Sequence, residues 1–302
     1  VRSLFLFLSR QRQLRKWMET SRAARGLSSR FVAGTTLEQA LTVCRSINQD
    51  GLTVTLDYLG ENITSLAEAA GPREMYLRAL HAIHDQQIDG NVSLKLSQFG
   101  MDLSEPKCRE NVRVVVCLAA ALHNFVRIDM ESSGYTEATL AMTRDLHTLT
   151  HSCGAVIQAY LYRSEDDVAG LCARRIRVRL CKGAYLEPAA VAIQDKAAVD
   201  ANFVKLAQKL LLDGYYPAIA THDENMIAAV KIFVAEHRVA RDSFEFQMLY
   251  GIRRDLQKSL VAEGYRVRLY VPFGEAWYPY FMRRLAERPA NALFIARNLL
   301  RQ

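Results

Sequence analysis

Near its C-terminus the 302-residue chain runs Tyr270-Val271-Pro272-Phe273-Gly274 and then Tyr280-Phe281-Met282-Arg283-Arg284-Leu285-Ala286-Glu287. An apolar strand carrying Val267, Leu269 and Val271 ends in Pro-x-Gly, and a helix is expected to start near Pro279, a residue suited to a first helical turn. On that helix Tyr280 lies three and four residues before Arg283 and Arg284, and Glu287 four and three after them, so the four share one face or its edge. Two forked guanidiniums flanked by a phenol and a carboxylate suit the bidentate grip of a small carboxylate. Spacing alone also fits a solvated arginine face with one ion pair.

A second set of polar residues recurs along the chain at the late positions of apolar runs. Asp57, Lys95, Asp129, Gln158, Arg179 with Lys182, Thr221 with His222, Gln247 and Tyr270 all stand there. The runs are Leu52–Leu59, Asn91–Leu96, Phe125–Met130, Ala155–Tyr160, Ile176–Cys181, Tyr216–Thr221, Phe244–Tyr250 and Arg266–Val271. Each is separated from the next by a helical stretch, and parallel strands need such crossovers. The stretch Ala197–Leu212 is amphipathic, with Val199, Phe203, Leu206 and Leu210 on one face and Lys205, Gln208 and Lys209 on the other.

These elements predict a (β/α)8 TIM-like barrel at residues 51–302. Residues 1–50 are expected to form an N-terminal basic helical arm and helices packing on the barrel, and the C-terminal helix to lie over the barrel mouth. A doubly wound sheet is the alternative, but no G-x-G-x-x-G follows a strand. In a barrel the late strand positions open onto one face, so the polar residues converge there from different strands.

Individually these residues stay ambiguous. Asp57 and Asp129 fit helix caps or rim ion pairs as well as a site. Lys95 fits a structural pair with Asp129 or a Schiff-base lysine. Gln158 and Gln247 suit the edge of a heterocycle, or backbone partners. No histidine or cysteine spacing supports a metal.

Composition narrows the classes further. The formal charge is +7, and residues 1–30 carry all of that excess, with eight Lys/Arg against Glu19 alone. The neutral remainder argues against a nucleic-acid partner. The basic arm is expected to touch anionic lipid, which places the protein in the cytoplasm or peripherally on the inner face of the cell membrane. No apolar run reaches the length of a signal-peptide core or a membrane span. Six scattered cysteines without C-x-x-C read as reduced thiols.

The motifs VSLKL (92–96), RIDME (127–131), VRLCKGAY (178–185), ATH (220–222), FEFQMLYGI (244–252), YVPFG (270–274) and YFMRRLAERPAN (280–291) carry a resemblance. The sequence resembles the proline dehydrogenase family, FAD-dependent enzymes of proline catabolism, in its monofunctional bacterial form. The resemblance implies oxidation of L-proline to 1-pyrroline-5-carboxylate, with electrons passing onward to a quinone or other acceptor. It further implies that a separate pyrroline-5-carboxylate dehydrogenase acts downstream, since no aldehyde-oxidising module is expected here. By resemblance Lys95, Arg283 and Arg284 hold the substrate carboxylate, and Asp129, Tyr270, Tyr280 and Glu287 shape that pocket. FAD is lined by Met130, Gln158, Arg179, Lys182, Gly183, Ala184, Tyr185, Thr221, His222 and Gln247. Asp129 and Arg179 are the expected catalytic residues, with Arg179 beside the flavin nitrogen that accepts hydride. Where family members commonly carry an aliphatic residue, this chain has Cys181.

Overall fold

The computed structural model of the chain describes residues 28–60 and 63–287, together with Gln11 and Met18. Eight strands alternate with helices: β1 Thr53–Tyr58, β2 Gly90–Leu94, β3 Val126–Ile128, β4 Cys153–Gln158, β5 Val178–Cys181, β6 Ala218–Ala220, β7 Glu245–Leu249 and β8 Val267–Phe273. They close into one parallel barrel in sequence order, with β8 pairing back on β1. Among the described residues the helices are α1 Leu37–Gln49, α2 Ala70–Asp85, α3 Glu105–Ala121, α4 Thr136–Thr150, α5 Ser164–Ala173, α6 Lys196–Asp213, α7 Glu224–Glu236, α8 Arg254–Ala262 and α9 Trp277–Glu287. The expected fold class therefore holds.

The strands sort their side chains by a period of two. Val54, Leu56, Val92, Leu94, Val126, Ile128, Val178, Leu180, Phe246, Met248, Val267, Leu269 and Val271 belong to one large apolar core with the helices. The alternate positions carry Thr55, Asp57, Ser93, Arg127, Asp129, Arg179, Glu245, Gln247, Arg268 and Tyr270. Opposite the long arginines stand small residues. Arg179 is in register with Ala218, and Gly154 with Arg127. A Cβ at Gly154 would come within 2.3 Å of the Arg177 carbonyl oxygen, 2.8 Å of the Phe125 ring and 2.9 Å of the Arg127 Nη1, so only glycine fits between them.

Helix α1 begins at Thr36, whose hydroxyl accepts from the Gln39 N–H, with Glu38 in the first turn favoured by the helix dipole. Its apolar stripe of Leu37, Ala40, Leu41, Cys44 and Ile47 joins the core that covers the barrel. On α6 the buried residues are Phe203, Leu206, Ala207, Leu210 and Leu211, close to the amphipathic pattern read from the sequence.

Strand β8 continues through Phe273, which is in register with Tyr58 of β1, so it ends two residues later than expected. Tyr270 is accordingly the fourth residue of a seven-residue strand rather than its end. Helix α9 starts at Trp277, two residues before Pro279. The basic arm of residues 1–27 lies outside the described residues apart from Gln11 and Met18, and so does the chain after Glu287. Among the described residues no helix is long and apolar enough to cross a membrane.

Candidate active site

Asp129 follows β3 directly and is the hub of the barrel mouth. One carboxylate oxygen accepts from Arg179 Nη1 at 2.7 Å and from the Ser93 hydroxyl at 2.5 Å. The other accepts from the Tyr270 hydroxyl at 2.7 Å, with Lys95 Nζ 3.9 Å away. Lys95 stands just past β2, and its closer anion is Asp57 at 2.9 Å. The Arg179 guanidinium lies 5.1 Å from the centre of the Tyr270 ring, within the range of a cation–π contact. Its Nε donates to the Gln247 amide oxygen at 2.5 Å. The structure thus brings Lys95, Asp129, Arg179, Gln247 and Tyr270 into one buried cluster with Asp57 and Ser93.

The two carboxylates of this cluster are shifted in opposite directions. Burial raises the Asp57 carboxyl to about 6, because the attraction of Lys95 does not outweigh lost hydration and the repulsion of Asp129. Burial acts on Asp129 in the same sense. There, however, Arg179, Lys95 and the bonds from Ser93 and Tyr270 prevail together, and its acidity lies below the ordinary aspartate range. Burial first, and then the neighbouring carboxylates, push the Tyr270 phenol well above its usual value, so it remains a donor.

A pH signature follows for Asp57. The folded carboxyl binds its proton more tightly than an unfolded aspartate near 3.9. Its contribution to stability is therefore full below about pH 4 and lost as pH rises through about 6. The loss is on the order of 3 kcal/mol. Urea unfolding of the wild type and of Asp57→Asn across pH 4 to 7 should show that slope only in the wild type. Parallel curves would remove the raised carboxyl from the account.

The other residues expected to line the cofactor stand at or just past the ends of β3 to β6. Gln158, at the end of β4, donates to the Glu131 carbonyl at 2.9 Å. Met130 is buried beside it in sequence, next to Asp129. Thr221 caps the turn after β6, accepting from the Asp223 N–H at 3.1 Å. His222 Nε2 accepts from the Leu249 N–H at 2.9 Å, which makes it an acceptor there rather than a donor. Lys182 pairs with Asp200 at 2.7 Å and Asp223 at 3.1 Å. Gly183 has φ +120°, and a Cβ there would overlap the Tyr160 ring, so only glycine fits. Ala184 and Tyr185 are exposed in the following loop.

Helix α9 carries the arginine pair. Trp277, Tyr278, Tyr280, Phe281 and Met282 pack with Phe31, Val32, Leu59 and Ile252. Leu59 and Ile252 lie just beyond β1 and β7, so α9 rests on the C-terminal rim of the barrel. Tyr280 is buried and Arg283 and Arg284 are half-buried, with the Arg284 guanidinium 5.1 Å from the Tyr280 ring centre. Glu287 closes the helix, and its side chain lies outside the described residues.

Several members of the cluster escape a reading of strand ends alone. Glu245 and Arg268 each precede a predicted site residue by two on the same strand, and Ser93 precedes Lys95 by two at the end of β2. Period two from Lys95, Gln247 and Tyr270 was the available signal.

A closed parallel barrel with ionisable side chains converging on the C-terminal ends of its strands defines a (β/α)8-barrel enzyme. The sequence from residue 40 to 297 matches the model of the proline dehydrogenase family. Proline dehydrogenase 1 of Bacillus subtilis strain 168 is 44% identical over 302 residues, which is 100% of both chains. The proline dehydrogenase of Deinococcus radiodurans is 44% identical over 280 residues, 91% of this chain and 90% of that one. The crystal structure of proline utilization A from Bdellovibrio bacteriovorus, inactivated by N-propargylglycine, superposes with a TM-score of 0.81 at 28% identity. That match covers 87% of this chain and 32% of the larger protein. The chain belongs to the proline dehydrogenase family.

Proposed function

We propose that this chain oxidises L-proline to 1-pyrroline-5-carboxylate with FAD as its hydride acceptor, and that the electrons pass on to a quinone-type acceptor. Family membership makes it an enzyme of proline oxidation. The observation that carries the finer reading is the Arg179 guanidinium. It is anchored at Nε and Nη1, while its buried Nη2 has no acceptor. A buried donor of that kind calls for a partner from outside the chain.

The residues present fit a flavin. Arg179 supplies a fixed cation, Gln158 and Gln247 supply amides, Gly183 keeps the loop after β5 close to the mouth, and Lys182 adds a second cation. When bound, the flavin accepts the hydride that no side chain of the protein can accept. Arg179 would stand where an electron-rich ring needs positive charge.

Lys95, Arg283 and Arg284 would bind the proline carboxylate and so fix the pose of the ring carbon. Asp129 orients Arg179, Tyr270 and Lys95 together. A Schiff-base mechanism is disfavoured, because Lys95 is charge-paired between Asp57 and Asp129 instead of being free to attack a carbonyl. Release and chromatographic identification of the cofactor tests the reading, with stoichiometric FAD expected. A colourless protein from which no flavin is released would overturn it.

The basic arm supports a further part of this reading, contact with anionic lipid where a quinone is held. Its positive charge is concentrated while the rest of the chain is neutral. The full chain should sediment with phosphatidylglycerol liposomes at low salt, and a chain starting at Thr35 should not. Equal sedimentation would exclude the arm.

A further inference from the structure

Behind Arg179 the barrel interior holds a hydrogen-bonded row that runs from Gln247 to β1. Gln247 Nε2 donates to Glu245 Oε1 at 2.5 Å. Both oxygens of Glu245 accept from Arg268 Nε, at 2.9 and 3.0 Å, and Arg268 Nη1 donates to the Val54 carbonyl at 2.7 Å. Glu245 is 3% exposed. Burial pushes its carboxyl up, but Arg268 and the Gln247 bond together hold it below its ordinary value.

We propose that Glu245, fixed by Arg268, is a positioning residue that sets the orientation of the Gln247 amide and, through it, of the Arg179 guanidinium. An amide has one donating and one accepting end, and Gln247 must choose which end faces Arg179. Ionised Glu245 can only accept, so the NH2 end turns toward it and the oxygen is left for Arg179 Nε. A neutral glutamine at 245 has one accepting end for Arg268 Nε and for the Tyr216 hydroxyl, which donates to Glu245 Oε2 at 3.3 Å, so its own NH2 would turn toward Gln247. Gln247 would then reverse and present N–H to N–H at Arg179, which costs a buried charge one of its anchors.

The inference rests on the reading that Arg179 borders the flavin, and the test separates the two. The midpoint potential of the flavin-loaded full chain is measured for the wild type, Arg179→Met, Glu245→Gln, Gln247→Met and the Glu245→Gln/Gln247→Met double variant. A cation that favours reduced flavin is lost in Arg179→Met, so the potential should fall. Glu245→Gln should lower it too, by about tenfold in the oxidised-to-reduced equilibrium, or ~30 mV for a two-electron couple. That shift should vanish when Gln247 is already methionine.

The sign is decisive, because removing a nearby negative charge without reorientation would raise the potential. A rise, an equal shift in both backgrounds, or a loss of stability with no shift overturns the inference alone. An unchanged potential in Arg179→Met overturns the reading beneath it as well. Should Glu245→Gln not fold, Arg268→Lys loosens the same carboxylate and should lower the potential by a smaller factor. No fall there counts against the proposal equally.

Discussion

Replacing Arg283 or Arg284 with alanine should raise the proline KM by about 30-fold to several-thousand-fold while flavin content and fold stay normal. Each guanidinium would make a charge-assisted contact to the substrate carboxylate, and losing such a contact in a desolvated site costs about 2–5 kcal/mol. At about 1.4 kcal/mol per decade this gives the stated range. Both side chains are half-buried on α9 over the rim, next to buried Tyr280. Their removal costs the Arg284 contact with the Tyr280 ring but keeps the apolar packing of Trp277, Tyr278, Phe281 and Met282 on Phe31, Val32, Leu59 and Ile252. Steady-state kinetics with a flavin absorbance ratio decides the matter. Michaelis constants within twofold of the wild type in both variants would move the carboxylate elsewhere.

The other large effect is expected at Asp129. Asp129→Ala removes the shared acceptor of Arg179, Ser93 and Tyr270 and the second anion near Lys95. Breaking a buried pair from one side leaves an uncompensated charge, and the usual cost is about 3–5 kcal/mol. Asp129→Asn keeps an oxygen and the shape, so it should lose less. The charge difference also has a pH sign. Asp129 titrates below an unfolded aspartate, so its contribution is present above the ordinary aspartate range and lost as pH falls through its own lower value. Denaturant unfolding at pH 7 and at about pH 2 should therefore show a larger gap between wild type and Asp129→Ala at the higher pH. A gap below about 0.5 kcal/mol at pH 7 would mean the hub is not a hub.

The barrel was legible because its strands are short apolar runs at regular intervals, and no other arrangement of eight such β/α units in one chain was as economical. Strand ends were less so. Lys95 and Asp129 sit one residue past the last ladder pair of β2 and β3, while β8 outruns its expected end because Phe273 finds a partner in Tyr58. Side chains continue the mouth where the backbone ladder has stopped, so the site survived the boundary errors.

Pairing was harder to read. Asp129 looked like the partner of Lys95, whereas Asp57 is closer. The stagger of β1 against β2 sets Asp57 opposite Ser93, two residues before Lys95, and only the closed register reveals it. Glu245 and Arg268 are hard to read from sequence for the same kind of reason. A carboxylate and a guanidinium early in strands look like surface residues until the closed barrel places them face to face. The arginine pair was legible from helical spacing, while the fourth member of that face, Glu287, lies with its side chain outside the described residues.

The central claim is that proline delivers electrons to a flavin held by this barrel. Anaerobic titration of the purified full chain with L-proline, followed by absorbance, tests it most directly. The account predicts a yellow protein whose oxidised-flavin band bleaches on adding proline, with one pyrroline-5-carboxylate formed per flavin reduced. A protein that carries flavin and binds proline, yet keeps its oxidised spectrum indefinitely, would contradict it.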